Sequence, residues 1–189
     1  MSDSHTTDLR RQLLEQALGG AVQQHTRDVI QAAARTVRRL APAGSTSSGM
    51  RESQVRNVVN VAIGASSVEE VAAFILYQMG RSTNQRQWLY GDFGKTVVED
   101  LMSGPVRDAT RAAHRQALRH IAGAPDISAP DAAEQQRLHD AAHIALARLY
   151  LGYLNRLFYF AERGGRDEQG RWDELQELIP TEPHPEERS

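Results

Sequence analysis

The sequence predicts an all-α protein: a compact helical bundle of about five to seven helices, with a long C-terminal core helix and a disordered acidic tail. Three observations predict it. No stretch alternates apolar and polar residues in the manner of a half-buried strand; alanine is abundant, and apolar residues recur at helical spacing. Glycine, proline and serine clusters then cut the chain into segments of helical length. At 189 residues the chain is long enough to bury a core as one domain. We read residues 1–166 as that domain and 167–189 as an acidic, partly disordered extension.

The elements follow in order. Thr7 is placed to cap a first helix from about Asp8 to Leu18, stopped by Gly19-Gly20. A second runs from about Ala21 to Leu40 and ends in Arg35-Thr36-Val37-Arg38-Arg39; residues 41–49 read as a loop. A third covers about Met50 to Ile63, with Val55, Val58, Val59 and Ala62 as its apolar stripe and Gly64 as its stop. Ser66 and Ser67 with Glu69 and Glu70 form two overlapping capping-box frames. They start a fourth helix, apolar nearly all round and so expected in the core, with Gly80 as its C-cap and Arg81 just beyond. Residues 82–92, with Trp88 and Tyr90, read as a turn or short helix. A fifth helix runs from about Phe93 to Met102, and Gly104-Pro105 opens a sixth to about Ile121. The last begins near Asp131 and reaches about Arg163, with Gly164-Gly165 as its stop and one short helix beyond, at Arg171 to Leu178. The final residues read as disordered. There is no internal repeat.

Composition excludes some chemistries. Without cysteine there are no disulfides and no thiolate metal sites. The polar, acidic N-terminus is not a signal peptide, and the longest apolar stretch, Leu149 to Ala161, is too short to span a bilayer. We therefore expect a cytoplasmic protein without membrane contact. The net charge of -2 conceals a split: residues 10–125 carry a balance of +6 and residues 126–189 one of -6. Such asymmetry hints at polyanion contact on one side, or at an arbitrary spread of solvated charge. Of 22 basic residues only Lys95 is lysine. Arginine suits bidentate phosphate contact, although a genome rich in GC favours it everywhere.

Candidate sites are few. His139 and His143 have metal-sharing spacing but no third ligand nearby and no zinc-protease glutamate, so they read as surface or packing histidines. Gly91-Asp92-Phe93-Gly94-Lys95-Thr96 lacks the spacing and the preceding strand of a phosphate loop. Glu99 and Asp100 are adjacent on a helix and point apart. Tyr150, Tyr153, Phe158, Tyr159 and Phe160 read as core packing, with tyrosine hydroxyls near its edge. No cofactor and no catalytic group are expected. Arg107, Arg111, Arg115 and Arg119 recur every fourth residue as a slanted basic ridge. It suits a phosphate backbone, or is a solvated face with Asp108 pairing with Arg111.

Three segments carry a resemblance. They are Glu52-Ser53-Gln54-Val55-Arg56-Asn57, Tyr77-Gln78-Met79-Gly80-Arg81, and the run from Tyr153 through Phe158-Tyr159-Phe160 to Gly164-Gly165-Arg166. In this order they resemble the small subunit of type III-A CRISPR effector complexes, over about residues 30–81 and 145–166. Residues 82–130 look like an expansion, Arg166 replaces a usual lysine, and Leu154 and Asn155 replace a usual Glu and Ala. The resemblance implies a helical, non-catalytic subunit of a ribonucleoprotein. It would contact crRNA and single-stranded target RNA and bridge the backbone subunit to the large signalling subunit, beside neighbouring copies of itself. It points first to Arg56 and Arg81 as phosphate contacts. Arg51 and Arg86 are their neighbours in sequence; Arg38, Arg39 and the ridge from Arg107 to Arg119 come third. The alternatives are a helical protein-interaction or regulatory module without RNA binding, a metal enzyme using His139 and His143, and a small subunit of another CRISPR subtype, with the same job and other partners.

Overall fold

A computed structural model describes residues 2–40, 50–81, 87–123 and 128–163. Seven α-helices account for most of them: α1 Ser2–Gln24, α2 Thr26–Leu40, α3 Glu52–Gly64, α4 Val68–Arg81, α5 Phe93–Met102, α6 Pro105–Ala122 and α7 Ala132–Arg163. The fold is the all-α bundle that the sequence predicts. The tail, residues 167–189, and the short helix expected at Arg171 to Leu178 lie outside the described residues. No helix among the described residues is long and apolar enough to cross a membrane.

α7 is the spine. At 1.5 Å per residue it is about 48 Å long, and α1, α2, α3, α4 and α6 all pack on it. It starts where Asp131 Oδ1 accepts from the Glu134 N–H at 2.8 Å, an N-cap of the usual kind. Ala142, Leu146, Ala147, Tyr150, Leu151 and Leu154 then run down its buried side. One continuous core joins Leu146, Ala147, Tyr150, Leu151 and Leu154 to Val29, Val37, Val55, Val58, Val71, Ile75, Phe93, Val97 and Leu101.

α3, α5 and α6 begin and end within two residues of expectation. Gly64 is the last residue of α3, and Val55, Val58 and Ala62 are its buried stripe. Ser67 caps α4: its hydroxyl accepts from the Glu70 N–H, and the Glu70 carboxylate reaches back to Ser66.

Four expectations are corrected. α1 begins well before Thr7 and runs through Gly19-Gly20 to Gln24. Glycine costs about 1 kcal/mol in a helix, which the burial of Ala17 and Ala21 on either side outweighs. The chain breaks instead at His25, whose ring bonds Asp28 at 2.8 Å, because α1 packs on α6 whereas α2 packs on α7. Gly80 is not a cap: α4 continues to Arg81, and positive φ among the described glycines occurs at Gly91 alone. Nor is α4 enclosed. Only Val68, Val71, Ala72 and Ile75 are buried, while Leu76 is 54% and Tyr77 59% exposed.

Residues Gly91-Asp92-Phe93-Gly94 form a structural turn. Gly91 and Asp92 are both left-handed, at φ 56°, and bring the chain from a single 3-10 turn at Tyr90–Asp92 into α5. A Cβ at Gly94 would lie 2.8 Å from Met79 Sδ and 2.9 Å from the Trp88 carbonyl oxygen. That close approach explains the glycine without a nucleotide.

Candidate nucleic-acid interface

Contacts along α7 place the ends of the other helices. Near its start Arg10 pairs with Glu134 at 2.6 Å and His114 meets His139, ring centres 5.6 Å apart. Farther on His143 bonds the Leu101 carbonyl at 2.8 Å, and Tyr150 bonds Asp100 at 2.7 Å. Near its end Phe93 packs on Phe158, centres 6.2 Å apart. α5 therefore runs antiparallel to α7, with its N-terminus at the Phe158 end.

The other helices follow. Asp28 of α2 lines a cleft with Pro105 and Asp108 at the start of α6; Thr36 bonds Asp100 at 2.6 Å, and α2 then touches the Tyr90–Asp92 turn. α2 is thus parallel to α7, and Arg38 and Arg39 in its last turn arrive at the Phe158 end. The last carbonyls of α3 are held by Arg148, while Gln54 in its first turn donates to Gln87. Arg51, the residue before α3, arrives at the same end. Met79 of α4 packs against Gly94 at the start of α5, so Arg81 arrives there too.

Four of the predicted arginines thus converge, from three separate runs of sequence. Arg38, Arg39, Arg51 and Arg81 are exposed and have no ion-pair partner among the described residues. At this end Leu89 and Tyr90 are also exposed, as are Tyr159 and Phe160 at 44% and 38%. Arg156 stacks on Tyr153 at 5.1 Å. This corrects the reading of the aromatics as uniformly core: Tyr150 and Phe158 are buried, and Tyr159 and Phe160 are not.

Arg56 stands about a turn and a half into α3. Its charge is paired: Nε and Nη2 donate to the two Glu52 carboxylate oxygens at 2.7 and 2.5 Å. Arg86 lies outside the described residues. The ridge is elsewhere. Arg111, Arg115 and Arg119 are exposed, Arg107 is half-buried, and Arg111 is 3.7 Å from Asp108. Their helix meets α7 at His139 rather than Phe158, so the middle of the ridge stands about 28 Å from Phe158 along the α7 axis.

The histidines are packed. Nε2 of His143 donates to the Leu101 carbonyl in a buried site, and the described residues contain no group of three or more His, Asp or Glu able to hold a metal. Burial pushes the pKa of His143 below the usual histidine range, the Leu101 hydrogen bond opposing it. Burial, with His139 nearby, lowers that of His114. A histidine depressed in the fold binds its proton more readily when unfolded. Stability should therefore fall as pH drops below the unfolded value of about 6.5. Chemical denaturation between pH 7.5 and 5 should show this slope, and His143→Gln should reduce it.

Two features escaped sequence reasoning. Arg148 donates from Nε to the Ala62 carbonyl at 2.9 Å, and from Nη2 to those of Ile63 and Ala65 at 3.2 and 3.0 Å. Gly64, read as the end of a helix, was the available signal, since terminal carbonyls need partners. The second feature is buried. Asp100 Oδ2 accepts from both Thr36 and Tyr150, and Tyr150 is fully enclosed rather than at the core edge. Burial raises the Asp100 pKa; the two hydrogen bonds and the charges of Arg39 and Arg35 oppose it. Burial and the Asp100 charge hold the Tyr150 hydroxyl well above its ordinary pKa.

Comparison of the chain with family models, curated proteins and solved structures gives no match.

Proposed function

We propose that this chain is a non-catalytic, RNA-contacting subunit of a ribonucleoprotein, of the kind that the small subunit of type III CRISPR effector complexes represents. One observation carries the reading. Arg38 and Arg39 of α2, Arg81 of α4 and Arg51 just before α3 are exposed at one end of the bundle, beside exposed Tyr90, Tyr159 and Phe160. Guanidinium groups hold phosphates without reading sequence, and aromatic faces accept any unpaired base. A subunit that must accept any guide needs both properties. Arg51 also stands where α3 begins, and the unpaired N–H groups of a helix N-terminus favour an anion.

In this reading Arg38, Arg39, Arg51 and Arg81 are the phosphate contacts. Arg56 contributes once it leaves Glu52, and the ridge on α6, centred toward the start of α7, takes no part. Few charges act per copy, so the isolated chain binds weakly, and neighbouring copies in a complex raise the affinity. crRNA, single-stranded target RNA, the backbone subunit and the large signalling subunit are the partners, in the cytoplasm.

A second reading is a helical protein-interaction module without RNA binding. The carboxylate partners of Arg56 and Arg111 and the uncovered face of α4 favour it. Purification from the host separates the two: co-eluting RNA and CRISPR subunits support the first, and a chain that elutes with protein but no RNA supports the second.

A further inference from the structure

A cleft of about 460 Å³ lies between α1 and the start of α7. Its lining changes character along its length. At one end Arg10 donates to both Glu134 carboxylate oxygens at 2.9 and 2.6 Å, with Arg11 and Arg137 next along the two helices. Leu14 and Leu18 follow on α1, and Leu138 and Ala141 on α7. Leu14 and Leu138 are buried and Leu18 is half-buried, so this end is apolar. The charges do not balance: three arginines line the cleft with two carboxylates, those of Glu15 and Glu134. Arg10 occupies Glu134, while Arg137 is exposed and has no ion-pair partner among the described residues. Nε of Arg10 is buried and donates to nothing among them. A buried donor without an acceptor is costly, and one further negative group at this end would serve both arginines.

We propose that the cleft binds a small amphiphile with one carboxylate head and one unbranched alkyl chain of medium length. The head sits at Arg137 and the Arg10 Nε, and the chain lies over Leu14 and Leu138 toward Leu18 and Ala141. From Arg10 to Leu18 is about 12 Å along α1, which takes a medium chain and not a long one. The volume suits a small molecule, as does an apolar wall with a few polar groups gathered at one end. A single negative head matches a single surplus positive charge, whereas a polyanion gains nothing from the apolar end. The ligand is free in solution, because a lipid anchored in a bilayer keeps its chains there and cannot lay one along the cleft. Leu138 is about 30 Å from Phe158 along α7, so this site and the arginine end act independently.

Calorimetric titration of the full chain with decanoate, kept below its micelle-forming concentration, tests this. One decanoate should bind per chain with a Kd of about 1 mM or tighter. Decylammonium, with the opposite head charge, and acetate, which lacks the chain, should each bind at least about tenfold more weakly. Arg137→Gln should weaken decanoate at least about fivefold and leave decylammonium no weaker. Ala141→Trp, at an exposed position, obstructs the apolar end and should weaken decanoate at least about tenfold. Leu76→Glu, which removes an exposed apolar residue of α4, should leave it within about twofold. No saturable binding by the wild type overturns the proposal. So does acetate or decylammonium binding as tightly as decanoate, or wild-type affinity in both Arg137→Gln and Ala141→Trp. Displacement of decanoate by single-stranded RNA would make the cleft a nucleic-acid surface, and capture of the chain by phosphatidylglycerol vesicles that Ala141→Trp abolishes would make it a membrane site; either result overturns the proposal too.

Discussion

Replacing Arg148 by alanine is expected to destabilise the fold by about 2 kcal/mol, the cost of removing a charged donor from several carbonyls. The last carbonyls of α3 have no partner within their own helix and form the negative end of its dipole. The Arg148 fork satisfies those of Ala62, Ile63 and Ala65 from α7. It thereby fixes where α3 ends relative to the spine, and with it the placement of Arg51 at the other end of the helix. Lysine keeps the charge but not the fork, so Arg148→Lys should recover only part of the loss. Urea denaturation of the three proteins checks the order, with the midpoint moving and the slope unchanged.

Two substitutions at Asp100 should have opposite outcomes. Asp100→Ala leaves the Tyr150 and Thr36 hydroxyls buried with only each other, 3.3 Å apart, and should cost about 2–3 kcal/mol. Asp100→Asn keeps an oxygen that accepts from both and removes a charge that burial penalises. At pH 7 it should be neutral or stabilising. The sign follows from linkage. Because the folded pKa is raised, the fold binds this proton more tightly than the unfolded chain. Stability from Asp100 is present below the unfolded value of about 3.9 and is lost as pH rises through the folded value. The gain from Asn should therefore shrink as the pH is lowered, which thermal melts across the acid range will read.

Local signals sufficed for much of the fold. Ser67, Gly64, Pro105 and the apolar stripe of α3 act within a turn or two of chain, and the helices they bound stand where the sequence places them. Gly19-Gly20 misled because propensity is worth about 1 kcal/mol per glycine, less than burying Ala17 and Ala21. The apolar run of α4 misled for a different reason. Composition records how apolar a helix is, not how many neighbours cover it, and α4 lies at the edge of the bundle. The candidate interface was legible as residues and not as a surface. Arg38, Arg51 and Arg81 were visible singly; their meeting at the Phe158 end depends on the directions of α2, α3 and α4 along the spine. No local pattern encodes those directions, just as none pairs Thr36 with Asp100 across the sequence.

The central claim is that RNA phosphates meet the arginine and aromatic end of the bundle. Fluorescence anisotropy with single-stranded RNA at about 50 mM salt tests it most directly. Two variants are compared: Arg38→Ala, Arg51→Ala and Arg81→Ala together, and Arg111→Ala, Arg115→Ala and Arg119→Ala together. The account predicts that the first loses at least about tenfold in affinity. Its salt dependence should flatten by about 0.7 in log–log slope per lost phosphate contact, while the second stays within about threefold of the parent. Loss confined to the α6 variant, or undiminished binding by the first, would contradict it.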